Sequence, residues 1–390
     1  MGGSGLSLRE AAVHLDGIVR SAQVQATSPD PVAVLAEALG PGPFAFVTLF
    51  ASPDVHFPSL VNKANRYFGE AVVVGCTTAG ELGRDGYSEG SIVAIGLPSS
   101  HFCVEPILIP DLEVFDQQDI VGQMIRTRTL LTAQCPGWTS EFAFLAIDGL
   151  SVREDEVAAA ISAGLGPVPM FGGSAGDGDR FGQAYVSLNG TVHTHAAVLC
   201  FVRTACHVKV FSLDHLKPTD VRMVVTDADP KRRVVRKINA EPAAREYARL
   251  LGKDPEQLST FTFASHPVVV RLGGTHHVRA IQRVHDNGDL VFFSAIDEGV
   301  VLTLAQPEDM SAHLARELGQ IGRHRTPDAI LACDCMLRRI EAEQSQSVTA
   351  LSSILKANRV VGFSTYGEQL NGLHVNQTMT GVAIFAPDGE

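Results

Sequence analysis

Histidine side chains are the residues of this sequence most able to bind a metal ion, and the chain of 390 residues contains 14 of them. His193 and His195 are two residues apart, so in a strand their side chains would share a face and could bind one metal together. No third ligand accompanies them in the sequence, and we favour a solvated sheet face for this pair. His276 and His277 are adjacent and would point to opposite faces of a strand, so they cannot chelate one ion.

Cysteines and paired acids are weaker candidates for functional residues. Cys76 has no histidine near it in sequence to activate its thiol, and a buried, unreactive thiol is the favoured interpretation. The spacing of Cys333 and Cys335 is tighter than the usual Cys-x-x-Cys pattern, which favours packing residues over metal ligands. Asp297 and Glu298 could form an acid–base pair, but as strand neighbours they would face opposite sides, and no nucleophile accompanies them. We therefore expect no enzyme.

Three loops share one pattern, in which small polar residues follow an apolar run and end in glycine and an acid. They are Val74–Glu81, Phe171–Asp177 and Val361–Glu368. Each follows a strand-like run that is itself preceded by a helix-like stretch and another strand-like run. A supersecondary unit that occurs three times predicts the architecture before any single residue is interpreted. Residues that recur in all copies are interpreted as scaffold, and a residue peculiar to one copy is a candidate for function.

The residues around these loops limit the ligands that they could bind. Their backbone N–H groups and hydroxyls could hold an anion or a carboxylate. No Gly-Lys-Ser/Thr comes after them, which excludes a phosphate-binding loop, and the glycine spacing in Gly173–Gly176 does not match the dinucleotide fingerprint. We favour a structural role for the shared pattern.

The repeats predict a mixed α/β (α+β) fold, built of strand-helix-strand-strand units that form two helix-covered mixed sheets, with αββα-like layers as one arrangement. We expect a peripheral segment at residues 1–34, a first domain at 35–235 and a second domain at 236–390 that ends in the third repeat. That repeat could complete the core of the second domain or pack on the first, and the sequence leaves both open. Asn189-Gly190 predicts a hairpin. Glu241–Leu251 predicts a helix, with Pro242 near its start and Gly252 just past its end, and Phe261–Arg271 predicts a strand.

Composition narrows the choice of partner and compartment. A formal net charge of −12 disfavours a nucleic-acid partner, because phosphate contacts need a basic face. No apolar window is long enough to cross a membrane. Seven cysteines without a framework spacing fit buried thiols in a reducing compartment. We therefore expect a cytoplasmic protein that binds neither nucleic acid nor membrane.

Several short sequence motifs resemble those of FIST-domain proteins. Gly75–Glu81, together with Gly86-Tyr87 and Gly90–Val93, resembles the FIST N-terminal sensory domain, and Gly172–Asp177 resembles its second glycine loop. The FIST C-terminal domain is similar in three further stretches: Ala244–Tyr247, Val278–Ile281 and Asp289–Leu302. The resemblance covers about residues 35–386, and it assigns the first predicted domain to FIST N and the second to FIST C.

Four more specific motifs are similar to those of the haem-binding, nitric-oxide-sensing (NosP-like) FIST proteins: Ala295–Thr303, Cys335–Arg339, Gly362–Gly367 and His374–Thr378. This resemblance implies a non-enzymatic cytoplasmic sensor that holds haem b and detects nitric oxide. It also implies a signal passed by protein contact to a histidine kinase or a cyclic-di-GMP enzyme. The sequence does not decide the oligomeric state, and a homodimer is one arrangement it allows.

If haem is bound, His374 is the first choice of axial ligand, because the first repeat has Gly86-Tyr87-Ser88 in its place and a departure from the scaffold marks a functional residue. Asn376 could then fix the tautomer of the ring. His266, before Pro267, is the second choice.

Arg279 and Arg338 are candidate partners of the haem propionates, as are Arg283 and Arg339. The alternative function is a haem-free sensory module for a small metabolite such as an amino acid. The open second loop suggests this, because it offers Ser174, Asp177 and Asp179 as polar anchors.

Overall fold

A computed structural model of the chain describes residues 12–14, 17–272 and 274–388. Elements are numbered in chain order. Up to residue 109 they are β1 (Ala12–His14), β2 (Arg20–Gln25), α1 (Pro31–Leu39), β3 (Phe44–Ala51), α2 (Phe57–Tyr67), β4 (Val72–Thr77), β5 (Glu81–Gly83), β6 (Gly86–Ser88), β7 (Ser91–Pro98) and β8 (Phe102–Ile109). The next group is α3 (Gln117–Gln134), β9 (Ser140–Asp148), α4 (Glu154–Leu165), β10 (Met170–Ala175), β11 (Val186–Leu188), β12 (Thr191–His193), β13 (Ala197–Thr204) and β14 (His207–Leu213).

The remaining elements begin with a hairpin-rich insert and end with the third repeat. The insert contains β15 (Leu216–Asp229), β16 (Val234–Ile238), β17 (Glu241–Pro242), α5 (Ala243–Leu251), α6 (Thr260–Ser265), β18 (Val268–Leu272), β19 (Thr275–Arg279), β20 (Ile281–Val284), β21 (Leu290–Phe292) and β22 (Val301–Pro307). The last group is α7 (Met310–Ile321), β23 (Ala329–Cys335), α8 (Met336–Gln344), α9 (Val348–Ala357), β24 (Val360–Thr365), β25 (Glu368–Leu370), β26 (Leu373–Val375) and β27 (Met379–Phe385).

The three repeats fold alike. In each, two parallel strands are joined across a helical segment: β3 with β4, β9 with β10, and β23 with β24. A short hairpin comes next, and the following strand returns antiparallel beside the first strand of the pair, as β7, β13 and β27 do. Parallel and antiparallel pairing in one sheet, with helices between the strands, confirms the predicted mixed α/β class.

The hairpins do not stay in their own repeats. The hairpin β5–β6 joins β24, the hairpin β11–β12 joins β4, and the hairpin β25–β26 joins β10. Each repeat sheet is therefore completed by another copy. In the described part of the chain there are four sheets, rather than the two that we expected. Sequence periodicity identifies strands, but an edge strand can satisfy its backbone groups on any sheet it reaches.

One apolar core lies between the inner faces of the three repeat sheets. Phe50 of the first repeat and Phe363 of the third stack there with ring centroids 4.3 Å apart, and Phe144 and Phe171 of the second contact each other at 5.3 Å. Helices cover the outer faces: α1 and α2 on the first sheet, α3 and α4 on the second, and α7 and α9 on the third. The third repeat thus packs with both of the others, which the sequence had left open.

The insert forms the fourth sheet, in the order β19-β18-β22-β15-β16-β21-β20. It packs over the loop ends of the repeats through a second apolar cluster that includes Phe293, Tyr366 and Ala79. The expected strand at 261–271 is instead the short helix α6 and then β18. No helix among the described residues combines the length and the apolar character needed to span a bilayer.

The segment expected to be peripheral lies partly outside the described residues, at positions 1–11 and 15–16. In the part described, β2 pairs along its length with β7, and Ala22 and Val24 are buried. β2 lies beside the returning strand β7, as β8 lies beside β13 and β14 beside β27 in the other two repeat sheets.

Candidate functional site

The crossed hairpins create equivalent corners, where the helical segment after the first strand of one repeat faces a hairpin from another. On the third sheet α8 lies beside the hairpin β5–β6, where Arg339 donates to the Ser88 carbonyl, and on the second sheet α4 packs against the hairpin β25–β26. The two hairpins pair with their sheets in the same register. Tyr87 of the hairpin β5–β6 therefore occupies the position that His374 occupies in the hairpin β25–β26, and Gly90 the position of Gln377. Gly90 and Gln377 both have a positive φ, at 64° and 51°, which supports the alignment. We call the site between α8 and the hairpin β5–β6 the open corner, and the site between α4 and the hairpin β25–β26 the closed corner.

The open corner contains a cleft of about 600 Å³. It lies beyond the carboxyl end of β3, the position where open α/β sheets bind ligands. The lining residues come from the segments that follow β3, β4, β6 and β10, from α6 and from α8: Ser52, Pro53, Asp54, Ala79, Gly80, Glu81, Glu89, Gly90, Gly178, Asp179, Arg180, Phe181, Thr260, Phe261, Met336, Arg339, Ile340 and Glu343.

Charged side chains of both signs line this cleft. Arg339 lies in α8, and its guanidinium contacts Glu89 at 2.5 Å and Glu343 at 3.1 Å. Arg180 of the second repeat loop contacts Asp54 at 2.6 Å. The lining therefore has two arginines against the carboxyl groups of Asp54, Glu81, Glu89, Asp179 and Glu343. This excess of acids favours a ligand that carries a positive group.

Glu81 belongs to the scaffold although it lines the cleft. Its carboxyl accepts hydrogen bonds from the Thr78 hydroxyl at 2.6 Å and from the Ser91 hydroxyl at 2.9 Å. Burial raises the pKa of Glu81 above its usual range. Because its oxygens are already occupied, the polar groups left for a ligand are those of the other four acids and the two arginines.

Two aromatic residues give the cleft an apolar side. Phe261 of α6 is 56% exposed although it is a large apolar side chain. Phe181 stacks on Tyr366 with centroids 4.6 Å apart and contacts Phe293 at 6.1 Å. A ligand in this cleft would thus meet charges on one side and aromatic rings on the other, and aromatic faces also attract cations.

The closed corner is filled by the insert. His374 of β26 is only 2% exposed. Its Nδ1 accepts a hydrogen bond from the Gln369 side chain at 3.2 Å, and its Nε2 lies 3.3 Å from the carbonyl oxygen of Phe293. Burial lowers the pKa of His374, so the ring is held neutral. A neutral ring with its proton on Nε2 satisfies both contacts.

Neighbouring charges hold the insert against this corner. Arg233, which is buried, contacts Glu154 at 2.7 Å and Asp155 at 3.2 Å at the start of α4, and it also donates to the Phe293 carbonyl. Arg279 donates to the backbone carbonyl of His374 at 3.4 Å, and burial lowers the pKa of this guanidinium.

Comparison with protein families now adds to this geometry. A family model for the FIST N domain matches residues 45–241, and one for the FIST C domain matches residues 243–371. The chain belongs to the FIST family. FIST domains are non-catalytic sensory domains of signal transduction that bind small ligands. Neither match distinguishes the haem-binding subgroup, which stays a prediction, as does the division of the chain at residue 235. No curated protein matches the chain.

The structure brings together three of the seven residues that we named as candidates for a haem site in this FIST protein: His374, Asn376 and Arg279. Asn376 lies beside His374, with Nδ2 3.5 Å from Nε2, and Arg279 contacts the His374 backbone. Asn376 is itself buried, and its Oδ1 accepts from the Ser294 hydroxyl of the insert at 2.6 Å.

The other four candidates lie elsewhere: Arg283 is in β20, Arg339 lines the open corner, and His266 and Arg338 are in the α6 and α8 regions. His266 is the last residue of the α6 region, and its Nδ1 lies 3.1 Å from the Thr262 carbonyl oxygen. Arg338 is fully buried in an ion pair with Asp334 at 2.7 Å, and it donates to His215 Nδ1 at 2.9 Å. Its Nη2 has no hydrogen-bond partner among the described residues but is buried, so Arg338 presents no donor at the surface to a propionate.

In this arrangement the residues around His374 do not fit a haem. Both ring nitrogens have hydrogen-bonding partners within the protein. The five cavities described have neither His374 nor His266 in their linings. Among the described residues there is also no group of three or more His, Cys, Asp or Glu side chains placed to hold a metal ion. The pair expected at His193 and His195 is interrupted, because His195 has a φ of 49° and lies outside β12.

The cleft residues were only partly visible in the sequence. Asp179 lines the cleft as the small-metabolite hypothesis expected. Ser174 and Asp177 do not, because Ser174 accepts from Gln369 at 2.9 Å and Asp177 accepts from the Gly182 backbone at 2.8 Å. The pairing of Arg339 with Glu89 joins residues 250 positions apart and has no local signal.

Proposed function

We propose that this FIST protein is a sensory module that binds a small, amine-bearing polar metabolite of about the size of an amino acid in the cleft of the open corner. The observation that carries the proposal is the cleft itself, since its volume of about 600 Å³ lies within the range of small-molecule sites. The buried His374 has no such space described beside it.

The lining suggests how such a ligand is held. Asp179 has no ion pair within 4.0 Å among the described residues and is placed to attract an amine. Arg339 and Arg180 already contact acids, so a carboxylate on the ligand would share their guanidinium groups with those side chains. Phe261 would cover the apolar part of the ligand.

Thermal unfolding with each of the twenty standard amino acids tests this proposal. At least one should raise the Tm increasingly with concentration, because a ligand stabilises the state it binds according to its concentration over Kd. Arg339→Gln should abolish the shift. Arg325→Gln is the matched control, since Arg325 pairs with the exposed Asp388 and does not line the cleft. No shift with any amino acid, or an equal shift in Arg339→Gln, would contradict the proposal.

Haem-based sensing of nitric oxide is the second candidate, and it comes from the resemblance. The neutral ring of His374, with Asn376 and Arg279 beside it, is the observation in its favour, because iron binds neutral imidazole. Absorption spectra after addition of haemin test it. A Soret band that shifts with nitric oxide and is lost in His374→Ala would support this candidate, whereas no specific uptake would remove it.

The output of the module belongs to the same proposal. The resemblance supports a cytoplasmic protein that signals by contact with a histidine kinase or a cyclic-di-GMP enzyme, without catalysis of its own. A histidine kinase is the first partner to test: its autophosphorylation rate should change when the purified protein is added, and change again with the stabilising amino acid. Light scattering would show whether the protein is a homodimer.

A further inference from the structure

Two partly exposed cysteines meet where α3 ends over β8, on the outer face of the second sheet. In the register of that sheet, Cys103 of β8 lies directly opposite Arg203 of β13. The Arg203 Nε donates to the backbone carbonyl of Cys135, the residue that ends α3, at 2.9 Å. Because side chains of directly opposed residues stand on one face about 5 Å apart, Arg203 links the strand position of Cys103 to the end of α3, where Cys135 lies.

Side-chain contacts agree with this placement. The Cys103 thiol donates to the Gln134 side-chain oxygen at 3.0 Å, one residue before Cys135. Besides burial, the neighbouring Cys135 thiol also contributes to the raised pKa of Cys103, as expected for two thiols that lie close together. Arg203 is held in position by Glu141 of β9. The other five cysteines are buried, so the pair combines mutual contact with access to solvent.

We propose that Cys103 and Cys135 form a reversible disulfide when the protein meets a peroxide. One thiolate attacks the O–O bond of hydrogen peroxide, which yields a sulfenic acid and water once a proton is taken up. The second thiol then attacks the sulfenic sulfur, the S–S bond forms, and a second water leaves. The two cysteines together lose two electrons and two protons, and the peroxide is reduced to two waters.

The surroundings of the pair make this a slow switch. Burial, with the neighbouring thiol, raises the pKa of Cys103 to about 11. Since the thiolate is the nucleophile, the rate of oxidation should rise as pH rises towards that value. Once formed, the bond would join the end of α3 to the start of β8, and closing a long loop in the unfolded chain stabilises the folded state. A thiol reductant would reverse it.

Peptide mapping after peroxide treatment of the full-length protein tests the inference. The 103–135 disulfide should appear, two of the seven thiols should be lost, dithiothreitol should restore them, and the Tm of the oxidised protein should rise. Cys135→Ser and Cys103→Ser should each lose both the crosslink and the rise in Tm, while circular dichroism confirms that they fold. A different crosslink, or none with seven free thiols remaining, would overturn the inference.

A second measurement does not depend on the serine variants. Dibromobimane becomes fluorescent when its two ends alkylate two thiols that lie close together. The reduced native protein should give fluorescence in the peptides that contain Cys103 and Cys135. Labelling of either cysteine without crosslinking would show that the thiols are too far apart, and the inference would fail.

Discussion

The open and closed corners are built on the same scaffold but differ in what covers them. Glu89 and Asn376 hold equivalent places just after their hairpins. The Glu89 side chain is 74% exposed and contacts Arg339, whereas Asn376 is fully buried under Ser294 of the insert. Tyr87 and His374 are also equivalent, and Tyr87 donates to Asp334 at 2.5 Å while His374 contacts the insert. The repeat thus supplies the corners, and the insert decides which of them can admit a ligand.

The largest expected effect concerns the buried arginine that holds the closed corner. Arg233→Met leaves Glu154 buried without its partner, and we expect a loss of about 3–5 kcal/mol in the free energy of unfolding. Urea unfolding measures it. Arg236→Met is the control, since the exposed pair of Arg236 with Asp227 should contribute less than about 1 kcal/mol. Equal effects of the two substitutions would show that the insert is not held as we describe.

The second prediction uses Glu368, the counterpart of Glu81 in the third repeat. Burial raises the pKa of Glu368 to about 8, above its value in the unfolded chain, so the folded state holds a proton that the unfolded state releases. Its contribution to stability is therefore complete below about pH 4.3 and declines as pH rises to about 8, at up to about 1.4 kcal/mol per pH unit.

Glu368→Gln should remove this part of the pH dependence, because the amide does not titrate. Urea unfolding of both proteins between pH 5 and pH 9 measures it, as two slopes over the same range. Parallel slopes would mean that Glu368 is ionised in the folded protein and that the pKa is not raised.

Gly80→Ala tests how Arg339 is placed in the open corner. Gly80 has a φ of 125°, and a Cβ there would overlap the guanidinium of Arg339. We expect a stability loss of about 1 kcal/mol from backbone strain and, as the arginine is displaced, roughly tenfold weaker binding of the stabilising amino acid by calorimetry. Gly252→Ala, with a φ of 66° and open space around it, should lose stability without weakening the binding.

Phe261→Ala is expected to have the smallest effect. Its exposed ring contributes little to folding, so the free energy of unfolding should stay within about 0.5 kcal/mol. Loss of its contact with the apolar part of the ligand should weaken binding by about 0.5–1 kcal/mol, a few-fold in Kd. An unchanged Kd would place the ligand away from α6.

Local patterns predicted the repeated part of the fold well. The apolar runs of the three repeats are the strands β3, β9 and β23, the helix predicted near residues 241–251 is α5, and Asn189-Gly190 turns the hairpin β11–β12. The exchange of hairpins between repeats was missed, because no local pattern specifies which sheet an edge strand joins. The stretch at 261–271 was misassigned because its short apolar runs, at 263–264 and 268–270, do not distinguish a short helix followed by a strand from one continuous strand.

For the candidate sites, too, the sequence identified residues that a local pattern marks and missed contacts between residues distant in the chain. Comparison among repeats drew attention to His374, since the first repeat has Gly86-Tyr87-Ser88 in its place. The strand register of the structure adds Val192 as the equivalent residue of the second repeat. The sequence could not show that the insert covers His374, because Phe293 lies 81 residues before it and Arg233 lies 141 residues before it. Arg339 was visible as a charge, but its contact with Glu89 depends on the crossed hairpin.

Hydrogen–deuterium exchange compares the two corners in one measurement. Exchange would be recorded for the protein alone, with the amino acid that raises its Tm, and with haemin. Our account predicts slower exchange with the amino acid at residues 79–90, 178–181 and 336–343, and no change with haemin at 373–377. Protection by haemin at 290–296 and 373–377, with the cleft segments unaffected by every amino acid, would contradict it.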